Sequence, residues 1–572
     1  MNRFHARRAA MARVKTGFQT SPEPRTIGVF AKGRQLIAGN FLFAGQLIEA
    51  NHGSIWNLPG QTPSFTEEIH GFTWLDDLAA VGDGAARKRA QQWTWEWLDE
   101  YGGGVGPGWT PDLTGRRLIR LINNALFLLP GADADMSRAF FNSLGQQTIY
   151  LSRRWPSATL GLPRFEALTG LIYAGLALID MDRYVDRAVT ALARDCSDQI
   201  DTDGGIATRN PEELLEVFTL LNWAISALTE SGKLPPRDIL AAIERIAPTL
   251  RALRHSDGGL ARFHGGGRGQ EGKLDQALAA SGVKKVREDG LAMGYARLAA
   301  GRTSVIVDAS APPGGADSAN AHASTLAFEL SSGRRPVVVN CGSGVSFGSE
   351  WRRAGRATPS HSTLGIEGAS SSRLGPTVGM NGHPRECLVQ TPRDVRIERR
   401  VDDGETGPSS GLVAGHDGYV RSHGLTHIRH LMLTDDSRML SGEDTLSALD
   451  KTDERRFDRA RDAIGLGGVP YQIRFHLHPD VDASIDMGGT ALSMALKSGE
   501  IWVMRHDGKA EMSLEASVYL EKGRLKPRAT KQVVLSSYAI DYASRVRWTL
   551  AKAQDTPSVL RDLEPKDNGT DD

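Results

Sequence analysis

The apolar residues of this 572-residue chain change their spacing near residue 301, and this change constrains the fold more than any other feature. Before that point they recur every three or four positions, which is the period of a helix buried on one face. After it they alternate with polar residues, which is the period of a half-buried β-strand. The spacing therefore predicts an all-α half followed by an all-β half, with the boundary near Gly301.

Helical spacing is clearest in four segments of the first half. These are residues 86–101, 113–129, 164–179 and 211–230. The last segment opens with Asn210 and Pro211, a good N-cap followed by proline at the first helical position. Because short joints separate helices of this length, we expect antiparallel helix pairs.

Strand spacing is clearest in four segments of the second half. These are residues 303–309, 324–330, 335–340 and 471–477. Turn residues separate them at short intervals, which is typical of a β-sandwich. His476 and His478 share one strand face and could together bind a metal, but a solvated polar face is the better interpretation.

Composition excludes several classes of protein. The net charge is zero, so no overall field attracts the chain to nucleic acid or to a membrane surface. No window of 18 uninterrupted apolar residues predicts a membrane span. The basic N-terminus lacks the apolar core of a signal peptide, and three well-separated cysteines suit a reducing compartment. These features predict a cytoplasmic protein.

Aromatic and imidazole side chains are distributed unequally along the chain. Eight of the eleven tryptophans precede residue 225, and ten of the fifteen histidines follow residue 320. Tryptophans such as Trp93, Trp95 and Trp97 could line a cleft on which sugar rings stack. The alternative is that they are core residues of the helical half, since aromatic side chains supply large buried areas.

Three stretches of the second half carry a family resemblance: HASTLAFEL (322–330), GRRPVVVNCG (333–342) and RATPSHSTLGIEG (356–368). They resemble the C-terminal domain of heparinase II/III-like polysaccharide lyases, and the helical segments are similar to the toroid helices of that family. The resemblance implies an incomplete (α/α) toroid followed by an antiparallel β-sandwich. It divides the chain into an N-terminal extension (1–65), a toroid (66–300), a sandwich (301–525), and terminal strands with a solvated tail (526–572).

The resemblance also implies chemistry, namely β-elimination on an acidic, uronate-containing polysaccharide or oligosaccharide. A base removes a weakly acidic proton while cationic or hydrogen-bonding groups neutralise the neighbouring carboxylate. The candidate catalytic residues are His322, His361, His264 and Tyr419. His264 lies in a glycine-rich loop, 262–272, that we expect to form a flexible rim. A zinc ion held by His322, Asn340 and His361 is implied, with an amide where the family has a carboxylate, and no organic cofactor is expected.

The usual catalytic positions differ in this chain. Leu162 and Pro163 stand where many members have an Asn-His pair, and Phe347 stands where a tyrosine is common. The predicted substrate ligands are Arg164, Arg209, Asn210, Arg352 and Arg356. Of these, Arg209 and Asn210 precede a helix and would seat an anion there, unless Asn210 is a simple N-cap.

Three functional hypotheses stay open. The chain is a polysaccharide lyase-like enzyme, or it is a glycan-binding or scaffold protein that keeps the lyase fold without catalysis. Glycoside hydrolysis by a carboxylate pair such as Glu329 and Glu367 is the third. The resemblance favours the cell envelope or periplasm, against the cytoplasm that the N-terminus predicts, and the sequence does not predict an oligomeric state.

Overall fold

A computed structural model describes residues 1–20, 24–50, 53–287, 290–380, 383–402, 408–465 and 467–553. The chain divides into two compact units. The first comprises Met1–Ile206, Glu213–Thr249 and Gly272–Val286; the second comprises Ala207–Glu212, Leu250–Glu271 and the chain from Arg287 onward. The prediction of an α half followed by a β half is confirmed.

The first half is built from helices and one small hairpin. The helices are α1 (Asn2–Ala10), α2 (Phe30–Ile37), α3 (Pro63–His70), α4 (Thr73–Val81), α5 (Gly84–Tyr101), α6 (Pro111–Asn123), α7 (Ala125–Leu128), α8 (Ala134–Arg154), α9 (Leu162–Ala177), α10 (Val185–Gln199), α11 (Pro211–Glu230), α12 (Arg237–Ala252) and α13 (Lys273–Ser281). The hairpin pairs β1 (Asn40–Phe43) with β2 (Gln46–Glu49). Short 3₁₀ turns occur at Ile55–Asn57, Trp155–Ser157 and Asp182–Tyr184.

The predicted helices match the observed ones closely, with one interruption. Helices α5, α9 and α11 agree with the predicted segments to within two residues at each end. The predicted helix 113–129 is divided at Asn124, whose side-chain amide donates to Asp76 (2.9 Å) and to the Arg120 carbonyl (3.0 Å). Such local hydrogen bonds compete with helical backbone geometry.

Helices α6 and α9 approach each other closely because both carry glycine at the crossing. A Cβ atom on Gly170 would lie 2.4 Å from the Cα of Gly115, closer than real contacts allow. The crossing also contains a bidentate ion pair between Arg116 of α6 and Glu166 of α9, with both contacts at 2.8 Å. The two glycines are therefore needed for this helix pair.

The tryptophans of the first unit belong mainly to its core. Trp93 and Trp97 are fully buried, so the sugar-stacking interpretation is wrong for these two. The guanidinium of Arg117 lies 4.1 Å from the centre of the Trp97 ring, and its Nη1 donates to the carbonyls of His70 and Gly108, each at 3.0 Å. Burial lowers the pKa of Arg117 to about 9.

The second half is built from strands. They are β3 (Tyr295–Ala300), β4 (Thr303–Asp308), β5 (Phe328–Ser332), β6 (Arg335–Val339), β7 (Leu364–Ile366), β8 (Arg373–Met380), β9 (His383–Gln390), β10 (Val395–Asp402), β11 (Ser409–Tyr419), β12 (Leu425–Thr434), β13 (Met439–Ser447), β14 (Val469–Leu477), β15 (Val481–Asp486), β16 (Ala491–Leu496), β17 (Ile501–His506), β18 (Glu511–Tyr519), β19 (Arg528–Ala539) and β20 (Ala543–Lys552). Helices α14 (Ser349–Ala354), α15 (Val420–His423) and α16 (Lys451–Ile464) accompany them. Further 3₁₀ turns occur at Gly315–Asn320, Val345–Phe347, Thr358–Ser360 and Met487–Gly489.

These strands form two large antiparallel sheets and one small one. The first large sheet has the order β10-β11-β12-β13-β20-β17-β16-β15. The second has the order β18-β19-β14-β6-β5-β4-β3, with β7 paired to β14. Strands β8 and β9 form the small sheet. The last strand, β20, therefore lies in the interior of its sheet, paired with both β13 and β17.

A single apolar core joins the two large sheets into a sandwich. Phe328 of β5 stacks on Trp548 of β20, with ring centres 5.9 Å apart, and Phe475 of β14 meets the same indole edge-on. In β14 the alternation predicted from sequence is observed, because Tyr471 and Ile473 are buried between half-exposed neighbours.

The predicted strand 324–330 begins later than expected. Residues 324–327 form a turn in which Leu326 has a positive φ of 64°, and β5 starts at Phe328. The cause is Asp308, whose backbone carbonyl accepts from the Leu326 N–H (2.8 Å) while its carboxylate accepts from Ser324 (2.7 Å).

The helices of the described residues include none that is both long and apolar enough to cross a membrane.

Replacing Gly170 by alanine is expected to destabilise the first unit. The added methyl group must push α9 away from α6, and overpacking of this kind costs about 1–3 kcal/mol. Gly84→Ala is the matched control, since nothing lies within 4 Å of a Cβ at this helical position. Urea unfolding of both variants measures the difference, and equal stabilities would contradict the close crossing.

His70 makes stability dependent on pH. The Trp97 indole N–H donates to His70 Nδ1 over 3.0 Å, and burial lowers the pKa of this histidine from 6.5 to about 3. The unfolded chain therefore binds a proton at a higher pH than the folded chain, and stability falls as the pH drops from 6.5 towards 3.

His70→Asn removes this titration while keeping an acceptor for Trp97. Between pH 6.5 and about 3, the free energy of unfolding of the variant should fall less steeply than that of the wild type, by about 1.4 kcal/mol per pH unit. Urea titrations at several pH values provide the slopes, and parallel slopes would exclude a neutral buried His70.

Candidate histidine-aspartate site

Three predicted catalytic histidines lie together in the second unit. His322 Nδ1 is 3.0 Å from His361 Nε2, and the backbone N–H of His322 donates to His264 Nδ1 over 3.1 Å. His361 Nδ1 lies 2.9 Å from the carbonyl oxygen of Ala357. All three side chains are buried. The turn before β5, the 3₁₀ turn at 358–360 and the segment after α12 position them.

The hydrogen bonds determine where the ring protons lie. A carbonyl only accepts, so His361 carries its proton on Nδ1 and accepts at Nε2 from the Nδ1–H of His322. His264 accepts at Nδ1 and therefore carries its proton on Nε2. Burial lowers the pKa of all three rings, that of His361 to about 3. The cluster is thus neutral at ordinary pH.

Asp308, which the predictions did not include, supplies the negative charge beside these rings. Its carboxylate accepts from Arg209 Nη2 (2.6 Å) and from Ser324 Oγ (2.7 Å), and lies 3.4 Å from His264 Nε2. Burial alone would raise the pKa of Asp308, but the adjacent Arg209 charge outweighs it and holds that pKa well below its usual range. The sequence signal was an aspartate ending an otherwise apolar strand.

Arg209 is a structural cation in this arrangement, and the expectation of an open anion seat is wrong. Its guanidinium is bound to Asp308 and to four backbone carbonyls. The accepting carbonyls belong to Met293, Gly294, Ser310 and Ala311. The Tyr295 hydroxyl donates in turn to the Arg209 carbonyl over 2.6 Å, and the residue itself has a positive φ of 50°. These contacts engage all three guanidinium nitrogens.

Asn210 caps the following helix, as the simpler alternative predicted. Its Oδ1 accepts from the Glu212 N–H over 3.0 Å. The first turn of α11 also carries the carboxylates of Glu212 and Glu213. Acidic side chains at this position already complement the positive end of the helix dipole, so a uronate would meet like charges here.

Arg352 and Arg356 hold the segment that leads into His322. Arg356 donates to the carbonyls of Ala321 (2.7 Å) and Ser318 (2.8 Å), and to that of Glu386 (2.7 Å). Arg352 donates through Nη2 to the Ala319 carbonyl over 2.8 Å. Both arginines therefore position the histidine segment, and their role as substrate ligands stays a prediction.

Arg164 belongs to the first unit. It donates to the carbonyls of Pro156 (3.0 Å) and Ala158 (2.7 Å), and its guanidinium lies 3.8 Å from Asp195. Its side chain is engaged in local contacts at the start of α9. Its role as a substrate ligand stays a prediction.

The predicted zinc ligands do not form a three-ligand centre. Asn340 Oδ1 accepts from the Ser362 N–H over 2.9 Å, and its Nδ2 donates to Glu329 at 3.4 Å. Two imidazoles remain as donors, whereas zinc sites generally use at least three protein ligands. Within the described residues, no cluster of three or more His, Cys, Asp or Glu could hold a metal ion. Zinc binding stays a prediction.

The first part of the glycine-rich loop, residues 262–266, is buried, contrary to the expected flexible rim, whereas residues 271 and 272 are exposed. His264 is only 1% exposed. A Cβ on Gly266 would lie 2.4 Å from Asn210 Oδ1, so glycine here permits close packing. The glycines that seemed to indicate mobility instead allow the chain to pass close to its neighbours.

Other predicted residues lie elsewhere in the sandwich. Tyr419 is fully buried and donates to the Leu364 carbonyl over 3.2 Å, so it belongs to the core. His476 and His478 are also buried, so the prediction of a solvated face was wrong. His476 lies between the Pro359 carbonyl (2.9 Å) and the Ser517 hydroxyl (2.8 Å), which satisfy both ring nitrogens.

The carboxylates proposed for glycoside hydrolysis occupy different environments. Glu329 is buried and hydrogen-bonded to His255, whereas Glu367 is exposed. The structure therefore places them in different environments, and glycoside hydrolysis by these two carboxylates stays a prediction.

Comparison with known proteins identifies relatives of the whole chain. The model of the family described as "Heparinase II/III-like, C-terminal" matches residues 283–549. FtsZ-localized protein C of Caulobacter vibrioides is 30% identical over 539 residues, covering 93% of this chain and 89% of that protein.

Solved structures show the same fold. Heparinase III superimposes with a TM-score of 0.68 at 12% identity, covering 96% of this chain and 88% of that one. The heparan sulfate lyase HepC from Pedobacter heparinus gives a TM-score of 0.56 at 15% identity, covering 97% and 88%. The fold is thus an N-terminal incomplete (α/α) toroid followed by a C-terminal antiparallel β-sandwich, as predicted.

Replacing Asp308 by asparagine is expected to destabilise the second unit by about 3–5 kcal/mol, because Arg209 is then left buried without its counter-charge. Asp394→Asn is the control, since the ion pair between Asp394 and Arg396 is exposed and should contribute little. Urea unfolding followed by circular dichroism measures both effects. A cost for Asp308→Asn as small as that of the control would show that the buried pair is dispensable.

Proposed function

Because this chain belongs to the heparinase II/III-like family, we propose that it keeps the lyase fold as a binding scaffold and has lost β-elimination. The observation that carries this proposal is that the polar side chains at the histidine cluster form hydrogen bonds within the protein. Arg209 and Arg356 donate to backbone carbonyls, and the imidazoles hydrogen-bond to each other. Side chains whose donors are already used in hydrogen bonds within the protein are poor ligands for an incoming uronate.

β-Elimination requires a group that neutralises the carboxylate and a base close to the sugar proton. In this chain Leu162 and Pro163 open α9 where many family members place Asn and His. Phe347 replaces a common tyrosine. The lowered pKa of His361 further makes its ring a weak base. Together these features support loss of the elimination chemistry.

We infer that this chain performs its scaffold role where FtsZ assembles. The supporting relative is named for its localisation with FtsZ, and it aligns with nearly the whole chain. A match of this length spans both the helical unit and the sandwich of this chain. We therefore propose that this chain also localises with FtsZ, through contact with FtsZ or with a protein bound to it.

The second candidate is a lyase acting on a uronate-containing polysaccharide or oligosaccharide. The observation that favours it is the 3.0 Å distance between His322 Nδ1 and His361 Nε2. The resemblance assigns both residues to the functional centre. In that case other groups of this chain would replace the missing base and neutraliser.

Two measurements separate the candidates. The purified protein is incubated with heparan sulfate, chondroitin sulfate, alginate and polygalacturonate, and the ultraviolet absorbance of unsaturated uronate ends is followed, with heparinase III as positive control. Sedimentation with polymerised FtsZ from the same organism is measured in parallel. We expect flat absorbance traces and co-sedimentation that depends on polymerised FtsZ.

His322→Gln provides the matched variant. Under the scaffold proposal it should co-sediment with FtsZ as the wild type does, provided that its melting temperature is unchanged. Unsaturated ends produced by the wild type but not by His322→Gln would instead establish the lyase candidate. Failure to co-sediment, together with diffuse fluorescence of a tagged chain in dividing cells, would refute the FtsZ role.

A further inference from the structure

A second polar constellation lies in the same unit and uses different residues. Ser331 Oγ is 3.3 Å from His255 Nδ1, and His255 Nε2 is 3.1 Å from Glu329 Oε2. Glu329 and Ser331 are two residues apart on β5 and therefore lie on one face of the strand. Hydroxyl, imidazole and carboxylate thus follow in the order that activates a serine nucleophile.

The hydrogen bonds fix the direction of proton donation, from Ser331 to His255 and from His255 to Glu329. Glu329 Oε2 also accepts from the Arg262 N–H (3.1 Å), and Asn340 Nδ2 donates to its Oε1 at 3.4 Å, so donors surround this carboxylate. An ionised carboxylate only accepts, so His255 carries its proton on Nε2 and presents a lone pair at Nδ1. Ser331 then donates to Nδ1, while the Ser304 hydroxyl, 2.9 Å away, donates to Ser331 Oγ.

These three side chains line a common cavity. Its volume is about 30 Å³, room for about two water molecules and comparable with an acetyl group. Arg268 and Asp257 line the same cavity. The Arg268 side chain is 30% exposed, so the cavity reaches solvent at this point, and its guanidinium donates to the Asp257 carboxylate over 3.0 Å.

We propose that Ser331, His255 and Glu329 form an acyl-transfer site for small esters, with acetyl as the acyl group that fits. Ser331 Oγ attacks the carbonyl carbon while its proton passes to His255 Nδ1. The bond to the alcohol oxygen breaks, and the alcohol leaves with that proton. Water, deprotonated by the same nitrogen, then attacks the acyl-serine, and the carboxylic acid leaves as the serine hydroxyl is restored.

Each group has a distinct role in this reaction. Ser331 and His255 are the catalytic residues, and Glu329 is a positioning residue that holds the ring in the required tautomer. The site does not rest on the proposed scaffold function, since it shares none of the residues on which that proposal depends.

The test uses the whole protein and p-nitrophenyl acetate. After a short incubation and acid quench, peptide mapping by mass spectrometry should find one acetyl group on Ser331. His255→Gln should slow this acetylation by about 10²-fold or more. Glu329→Gln should lower the acetylation rate constant while leaving the KM for the ester unchanged, a split that a merely structural role would not produce.

Ser332→Ala is the matched control. Ser332 is equally buried on the same strand but donates to Glu500, away from His255. It should acetylate at Ser331 as the wild type does. Wild-type protein that remains unacetylated at Ser331 would overturn the proposal, as would acetylation that proceeds at the same rate in folded His255→Gln.

Discussion

The buried ion pair between Asp308 and Arg209 is the interaction on which the second unit depends. Both side chains are removed from water, so each charge needs the other and needs further hydrogen bonds to be tolerated. Arg209 obtains them from four carbonyls in the segments 293–294 and 310–311. Asp308 obtains them from Ser324, and its backbone fixes the turn at Leu326. One pair of charges therefore determines the path of three chain segments.

The same principle explains why the arginines near the histidine cluster are bonded to the protein itself. Arginine has five N–H donors in a fixed plane, and backbone carbonyls that leave a strand or turn need donors. Arg356 and Arg262 are used in this way, as is Arg209. Here they stabilise the protein interior.

Sequence reasoning was most successful where the signal is local and repetitive. The change of period near residue 301 predicted both halves, and the alternation in 471–477 predicted the buried face of β14, because burial on one side dictates spacing. It failed where contacts between residues far apart in the sequence determine the structure. Asp308 ends an apolar strand and gave no periodic signal, and the glycines around His264 indicated mobility although they permit close packing.

The order of strands in the first large sheet has a consequence for how the protein is made. Strand β20, at Ala543–Lys552, is the link between β13 and β17, so the halves of that sheet stay separate until residues 543–552 have left the ribosome. The helices of the first unit precede the strands of the sandwich in the chain and are synthesised first. During synthesis the helical unit can therefore fold before the sandwich does. In that interval the unpaired strands are exposed to aggregation and need chaperones.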